Sequence, residues 1–235
     1  MIYEYGLIIG PSKIHIKTDK KEAILETIKE IKNHIMELQK YVKREPLFQY
    51  SLEPIDEDQD APLIVRLITE ASRAAGVGPM ASVAGAIADL GLKKLMEMGA
   101  EVAIVENGGE VAAYTSGKEI LVSISTSESN LSGKIGLLIM SEETPIGIAT
   151  SAGKINQRAI SFGMADSVTV IAENAAIADA AATSICNAVA FKDTLKSIYR
   201  GIERAKNIRG VRGAIIFYEG HIGLIGKLPR IVKIR

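Results

Sequence analysis

Apolar positions along the chain recur with a period of two in some stretches and of three to four in others, and the changes of period mark its elements. Tyr5–Ile9 and Lys13–Lys17 alternate or run apolar around Gly10-Pro11-Ser12, which predicts a hairpin and its turn. Alternation is strict in Lys13-Ile14-His15-Ile16-Lys17, so His15 shares the polar face with the lysines and reads as a surface residue. From Asp19 the spacing changes to Ile24, Ile28, Ile31, Ile35, Leu38 and Val42, predicting a long amphipathic helix with Asp19 and Glu22 as its capping box. His34 lies beside that stripe and reads as a packing or surface position. Between Pro46 and Pro62 an acidic run, Asp56 to Asp60, reads as a solvated loop.

Two helical segments follow, about Ala61–Ala75 and Pro79–Met98, joined by Gly76-Val77-Gly78. Strand patterns come next at Glu101–Glu106, Glu110–Thr115 and Glu119–Ser125, with Asn107-Gly108-Gly109 as a turn between the first two. A polar loop, Thr126–Gly133, leads to strands Lys134–Met140, Ile146–Thr150 and Ser167–Ala172. A small-residue helix from about Ala175 to Ala190 precedes a second helix beginning near Asp193 and reaching Asn207. Strands near Ala214–Glu219 and His221–Ile225, turning at Glu219-Gly220, close the pattern. Runs of neighbouring strands mixed with helices favour an α+β (mixed α/β) fold with mixed or antiparallel sheets over a doubly wound parallel one. At 235 residues we expect a single domain, 1–235, made of two closely packed subdomains.

Composition narrows the function classes. Lysine plus arginine (28) equals aspartate plus glutamate (28), so no global field draws the chain to nucleic acid or an anionic membrane. Six arginines from residue 200 onward, Arg200, Arg204, Arg209, Arg212, Arg230 and Arg235, have no interleaved aromatics and read as solvated positions. The most apolar stretch, Val168 to Val189, is broken by Glu173, Asn174, Asp179 and Asn187, which a bilayer would penalise, so it reads as core. One cysteine, Cys186, excludes an intrachain disulfide framework, and three histidines argue against structural zinc. With no basic and apolar leader at Met1-Ile-Tyr-Glu-Tyr5, the expectation is a cytoplasmic protein.

The candidate chemistry concentrates in Ser167–Cys186, a strand feeding a helix. Asp179 and Thr183 are four apart, so a carboxylate and a hydroxyl share one helix face. Mg²⁺ takes oxygen ligands and keeps waters and substrate phosphates, so this pair could serve as a minimal site. Equally, the acid could stabilise the helix dipole and the threonine bond back to a carbonyl one turn earlier. Cys186, seven residues after Asp179, falls near the same face and is a candidate for sulfur chemistry. Gly76-Val-Gly-Pro-Met-Ala81 fits a Gly-x-Gly-x-x-Ala pattern but follows a helix, so the dinucleotide context is missing; its exposed N–H groups at Met80–Ser82 remain a place for a phosphate or a simple helix start.

Ser167–Cys186 resembles the C-terminal signature of the ApbE-like superfamily, whose best-known members are FAD:protein FMN transferases. Glu106-Asn-Gly-Gly-Glu110 resembles that family's Asn-x-Gly-Gly-Asp element, and Gly147-Ile-Ala-Thr-Ser-Ala-Gly153 its Ala-Thr-Ser-Gly strand end. The resemblance spans roughly residues 76–190. It implies that Asp179 and Thr183 hold Mg²⁺, that Asn107, Gly108, Gly109, Glu110, Thr150 and Ser151 line the pocket for a flavin nucleotide such as FAD, and that the activity is FMN transfer. The partner implied is a small phosphorylated ligand, with a possible protein partner. At three places the sequence departs from the family: Gln157–Asp166 replaces a His-Ile-Ile-Asp-Pro-Arg-Thr-Gly-like segment, the N-terminal Met-Gly-Thr-like segment is missing, and Gly85-Ala-Ile-Ala-Asp89 lacks the following lysine-glycine pair. These departures point to a short branch common in archaea that has been associated with sulfide assimilation and homocysteine synthesis, which is the alternative reading. Richness in isoleucine, lysine and glutamate without tryptophan fits a thermophile.

Overall fold

The computed structural model describes residues 1–124, 133–153, 162–190 and 192–234. In chain order its elements begin with β1 (Tyr3–Ile9), β2 (Ser12–Thr18), α1 (Ala23–Arg44), α2 (Leu47–Tyr50), α3 (Leu63–Ala75) and α4 (Val83–Glu97). Strands β3 (Val102–Asn107), β4 (Glu110–Thr115), β5 (Ile120–Ser123), β6 (Ile135–Ile139), β7 (Ile146–Ser151) and β8 (Ser167–Ala172) follow. Then come α5 (Ala175–Ala188), α6 (Thr194–Lys206), β9 (Val211–Tyr218), β10 (His221–Gly226) and β11 (Arg230–Lys233). Eight strands form one sheet in the order β1-β2-β3-β4-β7-β8-β9-β10, and β11-β6-β5 form a second. Every pairing is antiparallel, so of the two expected sheet types the antiparallel one is found. The fold is α+β.

Side-chain alternation sorts the eight-stranded sheet into two faces. Val168, Val170 and Ala172 of β8 join the helix-covered core, while Ile171 joins Ile148, Ile215 and Phe217 against Leu137 and Ile139 of the small sheet. Both faces of the central strands are thus covered, which is why Ser167-Val-Thr-Val-Ile-Ala172 is buried throughout and reads as a continuous run. Outer strand β2 has helices on one face only. Its Ile14 and Ile16 are buried, Lys13 and Lys17 are exposed and His15 is half-buried, as its strict alternation predicts.

Sequence and structure part at several ends. Helix α1 buries Ile24, Ile28, Ile31, Ile35 and Leu38, but it starts at Ala23 with no side-chain cap. Asp19 instead accepts the backbone N–H groups of Glu101 and Val102, both at 3.1 Å, and so secures the start of β3 rather than the helix. Leu47–Tyr50 forms a short helix whose Phe48 packs edge-on against Tyr41, with ring centroids 5.4 Å apart. Strand β11, too short to show a period, is held by pairing with β6. The turn at Gly76–Gly78 packs tightly: a Cβ on Gly78 would lie 1.9 Å from the carbonyl oxygen of Ser51, and Pro79–Ser82 form a 3-10 turn before α4. Residues 126–132 of the Thr126–Gly133 loop and 157–161 of Gln157–Asp166 lie outside the described residues.

The sheet centre carries a local two-fold relation. Ala112 of β4 lies opposite Gly147 of β7; Val105 pairs with Ala112 as Ala172 pairs with Gly147. Helix α4 leads into β3 and α5 leads out of β8, so a half-turn that exchanges β4 with β7 also exchanges α4 with α5. It brings Gly85-Ala-Ile-Ala-Asp89 onto Ala175-Ala-Ile-Ala-Asp179, two nearly identical pentapeptides. Their contact requires small residues: a Cβ on Gly85 would lie 2.2 Å from the Ala175 oxygen, and one on Gly147 would lie 2.0 Å from the Asn174 carbonyl carbon. Both collisions are with backbone, which cannot swing aside. Gly147→Ala is therefore expected to destabilise the fold by about 1–3 kcal/mol or more, read by urea denaturation; a midpoint equal to wild type would show that the α5 start is not wedged against β7.

Candidate functional site

Helix α5 starts with all of its first N–H groups engaged. Asn174 caps it conventionally, its Oδ1 accepting from Ile177 N at 2.8 Å. The two preceding donors, Ala175 N and Ala176 N, are taken by Oδ1 and Oδ2 of Asp89 on α4, each at 2.8 Å. The relation is returned: Asp179 Oδ2 on α5 accepts from Gly85 N in the first turn of α4, at 3.0 Å. Each helix thus caps the other's positive end with an aspartate four residues into its own repeated pentapeptide. Asn107 adds a strand to this junction by donating from Nδ2 to the Ala84 oxygen at 3.3 Å.

The alternation of β3, β4 and β7 decides which expected site residues meet there. Ala103 and Val105 face the helices, so Asn107 does too. Ala112 does likewise, placing Glu110 on the helix side, where its charge acts on Asp179. Ser151 shares the parity of Ala149 and Gly147 and is buried on that side. Thr150 does not belong with them. It shares the parity of Ile148 on the small-sheet side, where its hydroxyl lies 2.9 Å from that of Thr169, its partner in register. The structure therefore separates Thr150 from Asp179 by the thickness of the sheet, and the reason is the two-residue period of β7 itself.

Gly108 and Gly109 form the β3–β4 turn, with φ of +72° and +123°, values that favour glycine, and both are exposed. A Cβ on Gly109 would meet nothing within 4 Å. Thr183, half-buried and one turn beyond Asp179, has no hydrogen-bond partner for its hydroxyl among the described residues, so it makes no back-bond to a carbonyl. Cys186 is fully buried in the helix-side core.

Electrostatically this is a strained place. Burial pushes Glu110 up to about 7, with the neighbouring Glu106 charge adding to the shift. Burial likewise holds Asp179 well above the usual carboxylate range; the charges of Glu110 and Asp89 raise it further, and the Gly85 N–H only partly offsets them. Asp89 is raised to about 6, again by burial, against the pull of its two helix N–H bonds. No cationic side chain pairs with Asp179 or Glu110 among the described residues. Nor does any group of three histidine, cysteine, aspartate or glutamate side chains there form a metal cage. What is present is one carboxylate, a second beside it, an unbonded hydroxyl and backbone of the α4 turn. That oxygen-only set suits Mg²⁺ completed by water and phosphate oxygens, and does not suit zinc.

Asp89 was not singled out for a role by its spacing. The signal that finds it is the repeated Ala-Ile-Ala-Asp, at 86–89 and again at 176–179.

A family profile described as AbpE bacteria matches residues 4–209. The UPF0280 protein of Methanothermobacter thermautotrophicus is 40% identical over 227 residues, spanning 96% of this chain and 86% of that protein. The UPF0280 protein of Methanocaldococcus jannaschii is 37% identical over 235 residues, spanning 99% and 94%. Among solved structures, the flavinyl transferase ApbE of Pseudomonas stutzeri in its apo form superposes with a TM-score of 0.60 over 96% of this chain and 94% of its own, at 14% identity. The ApbE protein of Thermotoga maritima gives 0.58 over 95% and 96%, at 15% identity. At such identities the likeness is one of fold. No single helix among the described residues is long and apolar enough to cross a membrane.

The raised carboxylates make a signed pH prediction. Protonated in the fold where the unfolded chain is ionised, they favour folding at low pH, and that stability is lost as pH rises from near 4 toward 6–7. In buffer with a chelator, denaturant melts should show stability falling across this window, and Glu110→Gln should flatten the fall and be the more stable at pH 7.5. An unchanged slope in that variant would mean that Glu110 does not strain the site.

Proposed function

The chain belongs to the UPF0280 family of ApbE-like proteins, and on that premise we propose that it binds a phosphorylated, flavin-nucleotide-like ligand with Mg²⁺ where α5 crosses the first turn of α4. The observation that carries the reading is the juxtaposition of two uncompensated carboxylates, Asp179 and Glu110, with the unbonded hydroxyl of Thr183. Carboxylates are ordinarily kept apart or paired with cations when drawn out of water, so a site that crowds them invites a cation from solution. Asp179 and Thr183 would hold the ion, which when bound would supply positive charge to pyrophosphate oxygens.

The chain's own groups divide the remaining work. Asp179 is oriented by the Gly85 N–H, which fixes one of its oxygens and leaves the carboxylate in place whether or not the ion is bound. The exposed Gly108-Gly109 turn, without side chains, lets a ligand approach the backbone closely. Asn107 holds that turn's strand to α4, so the turn and the metal-binding face of α5 keep a fixed relation. Transfer of the FMN part of FAD to an acceptor is the reaction this binding mode would serve; the proteins of like fold from P. stutzeri and Vibrio cholerae are a flavinyl transferase and a flavin transferase. The alternative, a sulfur-metabolism protein presenting its thiol, draws no support from the geometry, because Cys186 is fully buried.

FAD titrated into the protein with Mg²⁺, followed by fluorescence quenching, should saturate, and omission of Mg²⁺ should weaken binding. Asp179→Asn and Thr183→Val should each cost about 10- to 100-fold in Mg²⁺-dependent affinity with unchanged circular dichroism. FAD binding that ignores both substitutions, or no saturable binding at all, would remove flavin from this account.

A further inference from the structure

A pocket lies beside the α4–α5 contact, away from Asp179. It has a volume of about 440 Å³, within the ordinary size of small-molecule pockets, and none of Asn107–Glu110, Ser151, Asp179 or Thr183 lines it. Its walls are mainly apolar, with Leu63 and Leu67 from α3 facing Leu90 and Met96 from α4. Its polar groups are Asp89, Lys93, Glu97, Glu173 and Asn174. The half-turn that relates α4 to α5 explains where it sits. Asp89 and Lys93 occupy the positions of Asp179 and Thr183, the same four-residue spacing on the partner helix, but the hydroxyl is replaced by an ammonium.

The charges in this pocket do not balance. Lys93 Nζ lies 3.9 Å from Glu97 Oε1, so the one cation is already directed to one of the carboxylates. Asp89 has given each oxygen to a single helix N–H and keeps further acceptor capacity on both. Glu173, two residues before the N–H that Asp89 accepts, is exposed, and its carboxylate has no partner among the described residues. Two carboxylates thus remain at the α5 end of an apolar chamber, with leucines beyond them. We propose that this pocket binds an amphipathic organic amine, its ammonium between Asp89 and Glu173 and its apolar body against Leu67, Leu90 and Met96. A charged hydrogen bond to each carboxylate fixes the head, and burial of the body supplies most of the affinity. The inference is independent of flavin or Mg²⁺ binding at Asp179.

The probe is 2-phenylethylamine, with 3-phenylpropionate as its charge-reversed counterpart, each titrated calorimetrically into the full-length protein at pH 7.5. The amine should bind saturably, at least about tenfold tighter than the acid. Glu173→Gln should weaken the amine several-fold, and Lys93→Ala, which removes the competing cation from an exposed position, should strengthen it. Leu67→Trp, with its melting temperature checked against wild type, should abolish binding by filling the chamber. Asp179→Asn, which keeps an oxygen to accept from the Gly85 N–H, should leave amine binding intact while weakening Mg²⁺-dependent FAD binding, so the two sites can fail separately. Equal or tighter binding of the acid, indifference to both charge variants, or no saturable binding of the amine would each overturn the assignment.

Discussion

The exchange of aspartates between helices α4 and α5 is the constraint on which the rest of the structure turns. A helix start buried in a protein interior must find acceptors for its orphan N–H groups, and here each of two helices draws them from the other. The arrangement requires the backbones to approach until only glycine fits at Gly85, and it requires β7 to yield at Gly147 so that α5 can begin there. The small residues at the crossing, Gly85 on α4 and Ala175 on α5, follow from that contact. A larger residue at the crossing would move the carboxylates away from the donors they satisfy.

The same exchange concentrates negative charge where the protein can least screen it. Asp89 lies near enough for its charge to raise Asp179 further, and Glu110 on the sheet adds to the same effect. Folding alone would be served by neutral caps such as asparagine, which the chain uses at Asn174. Retaining aspartates at both crossings, with a glutamate added at one, spends stability on charge, and such expenditure is usual at sites that bind something.

Elements with a strong period were legible in the sequence: the β1–β2 hairpin, the α1 stripe and the run of β8. Elements made by tertiary contact were not. Helix α2 forms around a single buried aromatic, β11 exists because β6 offers an edge, and Asp19 chose the start of β3 over the helix it precedes in sequence. At the site, spacing alone correctly put Asp179 and Thr183 on one face, but it could not say that the aspartate's first partner would be another helix. Thr150 shows the opposite limit. Adjacent to Ser151 in the motif, it is sent to the other face of the sheet by the alternation that the same sequence displays. Asp89 was hidden because its meaning depends on a relation between two halves of the chain, which appears only when the repeated pentapeptides are laid over each other.

That relation gives the molecule an internal reference. Two copies of one local architecture, Gly85 to Asp89 and Ala175 to Asp179, experience the same solvent, temperature and expression history within every molecule, and differ chiefly in what stands one turn further on, Lys93 or Thr183. A spectroscopic probe placed at equivalent positions of the two copies would report their difference free of sample-to-sample error. Divergence of the copies, rather than the properties of either, then becomes the measurable record of how one capping arrangement acquired two environments.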